Sequence, residues 1–90
     1  MNKLSYPALF HKAEEGGFWI TFPDLPECIT EGDDMQEAYE MASDVLDLAI
    51  AFRQESNKPL PSPSEPDTIP LEPETFCVMV ESEYPNPKGR

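Results

Sequence analysis

The sequence predicts an α+β domain with the element order β-β-β-α-β, and three observations carry that prediction. Period-two alternation on either side of a Gly-Gly turn marks a hairpin over residues 4–22. Apolar residues at i, i+3, i+4, i+7 spacing mark one long helix over residues 35–55. An uncharged run, Thr75-Phe76-Cys77-Val78-Met79-Val80, follows a proline-rich stretch and marks a last strand. Ninety residues make a single domain near the lower size limit for a self-sufficient core.

Residues 4–12 read as the first strand, with Tyr6, Ala8 and Phe10 on one face and Leu9 and His11 on the other. Pro7 has no N–H to give a ladder, so its donor side has to face solvent or a bulge. Gly16 and Gly17 supply the positive φ of a tight turn. The second strand is residues 18–22, with Phe18, Ile20 and Phe22 facing one way and Trp19 and Thr21 the other. Pro23-Asp24-Leu25-Pro26 ends that ladder, because each proline removes a donor and restricts the residue before it. Cys28-Ile29-Thr30 reads as a short edge strand.

Asp33 or Asp34 caps the helix, and Gln36 or Glu37 completes a capping-box pattern. Met35, Ala38, Tyr39, Ala42, Val45, Leu46, Ala49 and Phe52 form the stripe that should meet the sheet. Glu37, Glu40, Asp44 and Asp47 fall opposite. Leu48, Ile50 and Ala51 make the last turns apolar nearly all round, which implies a further neighbour such as a second subunit. Asn57 and Pro59 stop the helix. Six of the eleven prolines fall between residues 59 and 73 and make that stretch a stiff, extended return inside the domain. The expected domain is residues 1–80 and the tail 81–90, with no C-terminal DNA-binding domain visible.

The expected sheet order is third, second, first, fourth. The helix and its proline return are long enough for a right-handed crossover, which would set the fourth strand parallel to its neighbour. The helix covers the aromatic face. The other face presents Leu9, His11, Trp19, Thr21, Cys77 and Met79 with no chain left to cover it, and an open face with a tryptophan is where a partner is expected.

Charge narrows the partner. Eighteen acids oppose six bases, and residues 13–52 hold eleven acids with no Lys or Arg. Such a field repels phosphate backbones and attracts a basic protein, so direct DNA or RNA binding is not expected. No run approaches the roughly 20 apolar residues of a membrane span and no signal-peptide core opens the chain, so a soluble cytoplasmic protein is expected. Cys28 and Cys77 have no metal-ligand spacing and read as small buried hydrophobes with free thiols.

Catalysis finds little support. The element order is that of the front part of an RNase H-like fold, whose nucleases converge strand and helix carboxylates on divalent metal ions. Neither the first strand nor the last contains an Asp or Glu, which leaves Glu37 and Glu40 on the helix without partners. His11 is the lone histidine and has no nucleophile or orienting acid in its strand. No phosphate-cradling loop or calcium loop is present, and no cofactor or metal is expected. The chain reads as a non-enzyme.

The residues Tyr6-Pro7-Ala8, Gly17-Phe18-Trp19, Phe22-Pro23-Asp24-Leu25-Pro26, Cys28, Thr30, Gly32-Asp33, Glu37-Ala38 and the exit Lys58-Pro59-Leu60-Pro61-Ser62-Pro63 closely resemble the HicB family, antitoxins of HicA–HicB toxin–antitoxin modules. The resemblance covers roughly residues 4–80. It implies a degraded, partial RNase H-like domain that binds and inhibits HicA, a small basic ribonuclease with a double-stranded-RNA-binding-like fold and an active-site histidine. Glu27 stands where the family commonly has Pro-Gly, and nothing after Val80 resembles the operator-binding domain that members often carry, so autorepression is not carried over.

The leading reading is therefore an antitoxin-type module that masks the active or RNA-binding surface of a HicA-like toxin, as a homodimer or higher oligomer. The candidate contact residues are Leu9, His11, Trp19, Thr21, Asp24, Glu27 and Glu31. The alternatives are a residual metal-dependent nuclease and an orphan dimerising domain without a toxin.

Overall fold

The computed structural model describes residues 4–83. The elements are β1 (Ser5–Lys12), β2 (Phe18–Thr21), β3 (Ile29–Gly32), α1 (Met35–Glu55) and β4 (Thr75–Glu81), with a 3-10 turn at Pro66–Thr68. They form a four-stranded sheet in the order β3-β2-β1-β4, every pairing antiparallel, with the helix on one face. The residues expected in a tail from 84 to 90 lie outside the described ones.

The hairpin forms as its glycines dictate. Gly16 (φ 101°) and Gly17 (φ 79°) turn the chain, and Ala13 and Gly17 close it with a backbone bond of 3.1 Å. A side chain at Gly17 would also stand 2.7 Å from the Gly32 carbonyl oxygen, so β3 could not approach. β2 ends at Thr21, opposite Leu9. Pro7 therefore lies beyond the end of β2, and its missing donor costs the sheet nothing.

The helix starts at the predicted cap. The Asp34 carboxylate accepts from Glu37 N–H at 2.8 Å, and the Glu37 carboxylate accepts from Asp33 N–H at 2.6 Å, a capping box displaced by one residue. At the other end Asn57 takes a left-handed conformation (φ 58°) and Lys58 N–H returns to the Arg53 carbonyl. Tyr6, Ala8, Phe10 and Ile20 from the sheet, with Phe22 just past β2, close on Ala38, Ala42, Leu46, Ala49 and Ile50 from the helix. Leu25, Cys28 and Val80 complete this core. The rings of Phe10, Phe18 and Phe76 pack at centroid distances of 5.7–6.2 Å.

Four expectations need correction. First, β4 runs antiparallel to β1, not parallel. The proline segment passes the start of β1 without pairing there. Tyr6 OH donates to the Pro61 carbonyl, and Ser64 is tied to Asp24, so residues 61–64 already sit at that end. The nine residues 65–73 then continue to Glu74, whose carbonyl accepts from Lys12 N–H at the far end of β1. Extended residues with one 3-10 turn cover on the order of 25 Å, more than the strand requires.

Second, the helix is rotated relative to the stripe read from spacing. Met35 and Phe52 are exposed, whereas Ile50 is fully buried. Third, Asp47 is buried at 4% exposure instead of solvated, because Ser82 and Glu83 fold onto it from beyond β4. Its Oδ1 accepts from Ser82 Oγ and from Glu83 N–H, both at 2.7 Å. Fourth, the face away from the helix is not wholly uncovered: Pro7 is fully buried there, and Leu9 and His11 are half-buried.

Candidate functional site

Strand register builds the face opposite the helix as two rows of side chains. One runs Glu31, Trp19, His11, Thr75 across β3, β2, β1 and β4; the other runs Ile29, Thr21, Leu9, Cys77. Alternation along each strand makes these residues neighbours, since residues paired across antiparallel strands point the same way.

The centre of this face is a stacked pair. The His11 imidazole lies 3.9 Å from the Trp19 ring, centroid to centroid, with 18° between the planes. His11 Nε2 is 3.0 Å from Thr21 Oγ1 and Nδ1 is 3.3 Å from Thr75 Oγ1, so hydroxyls bracket both ring nitrogens. A neutral imidazole donates from one nitrogen and accepts at the other, and a hydroxyl can answer either. Burial lowers the His11 pKa from its ordinary 6.5, against a smaller upward pull from the Glu72 carboxylate. The ring is neutral at pH 7. Held this way, Trp19 stands 45% exposed on a fixed support, with Glu31 beside it and exposed Ile29 in the next row. A pre-ordered aromatic on such a patch can bind a protein surface at little entropic cost.

Five of the seven candidate residues, Leu9, His11, Trp19, Thr21 and Glu31, thus share one face. Asp24 and Glu27 do not join them. Asp24 accepts from Ser64 N–H at 2.9 Å and Ser64 Oγ at 2.6 Å and ties the proline segment to the corner. Glu27 meets the Arg53 guanidinium through two bonds of 2.9 and 3.0 Å, which fastens the corner to the end of the helix. Partial burial pushes the Glu27 carboxyl up, but its backbone hydrogen bond, Arg53 and Lys58 together hold it below the usual value.

A second apolar surface lies where the sequence makes the last turns of the helix apolar nearly all round, though Leu48 is exposed there and Ile50 is in the core. Met41, Leu48 (63% exposed) and Phe52 (59% exposed) run along the outside of the helix. Val45, half-buried, lies between them, and the stripe borders a shallow groove by Cys28 and Ala49. Its sequence signal is the i, i+4, i+7, i+11 spacing of Met41, Val45, Leu48 and Phe52, which shares Val45 and Phe52 with the stripe expected to meet the sheet. Lys58 sits 5.5 Å over the Phe52 ring.

Among the described residues, no three His, Cys, Asp or Glu side chains converge as metal ligands would. No helix there is long and apolar enough to cross a membrane. Cys28 and Cys77 are both free thiols, the first buried and the second half-buried.

Comparison with known proteins assigns the family. Residues 5–74 match the family described as HicB_like antitoxin of bacterial toxin-antitoxin system. The chain is similar to Antitoxin HicB 1 of Photorhabdus laumondii, 42% identical over 71 residues that make up 77% of this chain and 46% of that protein. It spans about half the length of the curated relatives it matches. The fold is similar to a chain of a toxin–antitoxin complex from Streptococcus pneumoniae, with a TM-score of 0.82 and 25% identity over 91% of this chain and 70% of that one. It is also similar to a chain of a HicA3 and HicB3 toxin–antitoxin complex, with a TM-score of 0.70 and 27% identity over 89% and 99% of the two chains. The chain belongs to the HicB-like antitoxin family.

Proposed function

We propose that this chain is a binding module that neutralises a small basic HicA-like ribonuclease by covering its active or RNA-binding surface. The observation that carries the reading is family membership over residues 5–74, together with similarity in fold to chains of two toxin–antitoxin complexes. The charge supports it, since a net −12 raises the rate of encounter with a basic partner and repels RNA.

The toxin docks on the face centred on Trp19, with Leu9, His11, Thr21 and Glu31 around it. The chain works in the cytoplasm as a non-enzyme with residues 1–80 as its functional unit, and it contacts no nucleic acid itself. A degraded RNase H-like origin fits the element order and a first strand without Asp or Glu. The antiparallel β4 is then a departure from the parallel fourth strand expected of that fold.

Co-expression with a small basic HicA-like protein, sought in the gene next to this one, tests the proposal. The expected result is a purified complex and restored growth. Growth arrest and no complex with a folded partner would remove it. If binding survives Trp19→Ala and fails with Leu48→Ala, the docking face is the helix instead.

A further inference from the structure

The two edges of the sheet differ in a way that points to self-association. At one edge β3 is four residues long and carries Glu31. At the other, β4 is seven residues long, uncharged from Thr75 to Val80, and pairs only with β1 among the described residues. Edge strands are normally guarded by charge, proline, a bulge or short length. β4 has none of these between Thr75 and Val80.

Its hydrogen-bonding pattern identifies the free groups. Ser82 N–H bonds the Leu4 carbonyl and Lys12 N–H bonds the Glu74 carbonyl. Antiparallel pairs alternate, so the even-numbered residues of β4 spend their N–H and C=O groups on β1, and Thr75, Cys77, Met79 and Glu81 point theirs outward. Glu81 is already satisfied: its N–H donates to Tyr39 OH at 3.3 Å and its carbonyl accepts from Ser43 Oγ at 3.1 Å. Thr75, Cys77 and Met79 have no backbone partner on that side among the described residues.

We infer that the free edge of β4 takes the β4 strand of a second copy, antiparallel, which joins two four-stranded sheets into one. A two-fold axis at Cys77 sets Thr75 opposite Met79 of the other copy and uses all three outward residues of each strand. The same register sets Glu74 opposite Val80 and Glu81 opposite Pro73, so no acid faces an acid. For a chain of net charge −12 this uncharged edge is where two copies repel least, and a basic partner finds nothing there to complement. Both Trp19 faces end on the same side of the joined sheet and remain free.

Native Cys77 serves as the probe. Facing residues of a hydrogen-bonded pair lie about 5.5 Å apart at Cα, within the roughly 4.4–6.8 Å that a disulfide spans. Copper phenanthroline with dissolved oxygen, which accepts the two electrons and two protons from a thiol pair, should join the chain alone into a covalent dimer. Light scattering should give twice the chain mass before oxidation, and Cys77→Ser should stop the linkage without stopping the dimer.

Met79→Pro removes an outward donor and spares the β1 ladder, and Met79→Lys adds the missing guard charge. Each should weaken self-association by about tenfold or more, with circular dichroism and thermal unfolding showing a folded chain. A chain that stays monomeric at its highest soluble concentration overturns the inference. So does a dimer whose Cys77 thiols do not link, or one that both folded variants leave unchanged. No toxin is needed, so failure here is separate from failure of the antitoxin reading.

Discussion

At the scale of single residues, the two thiols and the one imidazole report on how the domain is packed. Burial pushes the Cys28 thiol up to about 11, with the Glu27 carboxylate adding to the rise and Arg53 opposing it. The half-buried Cys77 is raised by burial as well. A thiol reagent at pH 8 should therefore modify Cys77 in the native chain and reach Cys28 only on unfolding; equal rates would contradict the packing. The unfolded chain loses the Cys28 proton near the ordinary value of 9.0 and the native chain does not, so stability should fall as pH rises from 9 toward 11.

His11 works in the opposite direction on the pH scale. Its lowered pKa means that the unfolded chain takes up the proton first, so its contribution is lost as pH falls below 6.5. Trp19 is the only tryptophan and stacks on this ring, so its emission should drop on acidification with a midpoint below 6.5. His11→Gln should abolish that transition.

At the scale of elements, close approaches decide what can be changed. A Cβ on Gly32 would sit 2.5 Å from the backbone of Ala38, so Gly32→Ala has to push the helix start off the sheet. Its expected cost is about 2–3 kcal/mol, read from the urea midpoint. Asp47→Ala removes the acceptor for Ser82 Oγ and Glu83 N–H in a buried site. It should cost about 2 kcal/mol, because bonds to a buried carboxylate are the stronger kind.

These elements also divide what the sequence discloses from what it does not. The hairpin, the helix span and the Asp34 cap rest on contacts within a few residues, where glycine, alternation and capping chemistry act directly. That Leu9, His11, Trp19 and Thr21 share a face follows from the same alternation. The direction of β4 depends on how far the proline segment travels before pairing, which composition does not encode. The partners of Asp24 and Glu27 lie 40 and 26 residues away in sequence, and no local pattern announces such ties. Asp47 reads as a surface acid for the same reason, since Ser82, 35 residues on, makes its burial tolerable.

At the scale of the whole molecule, the domain separates charge from adhesion. On the proposed reading its acids would draw in a basic protein over distance, and its apolar surfaces lie at Trp19 and along the helix at Leu48 and Phe52. Charge of this kind sets the rate of encounter, whereas a few buried anchors set how long a complex lasts. The most direct test of the recognition reading is a binding titration of a HicA-like toxin with the wild-type chain and with Trp19→Ala. Truncating a hot-spot aromatic costs about 2 kcal/mol, so the variant should bind roughly 30-fold more weakly while its circular dichroism is unchanged. Equal affinity for the two chains would contradict docking at Trp19, and no binding by the wild-type chain would contradict the antitoxin function itself.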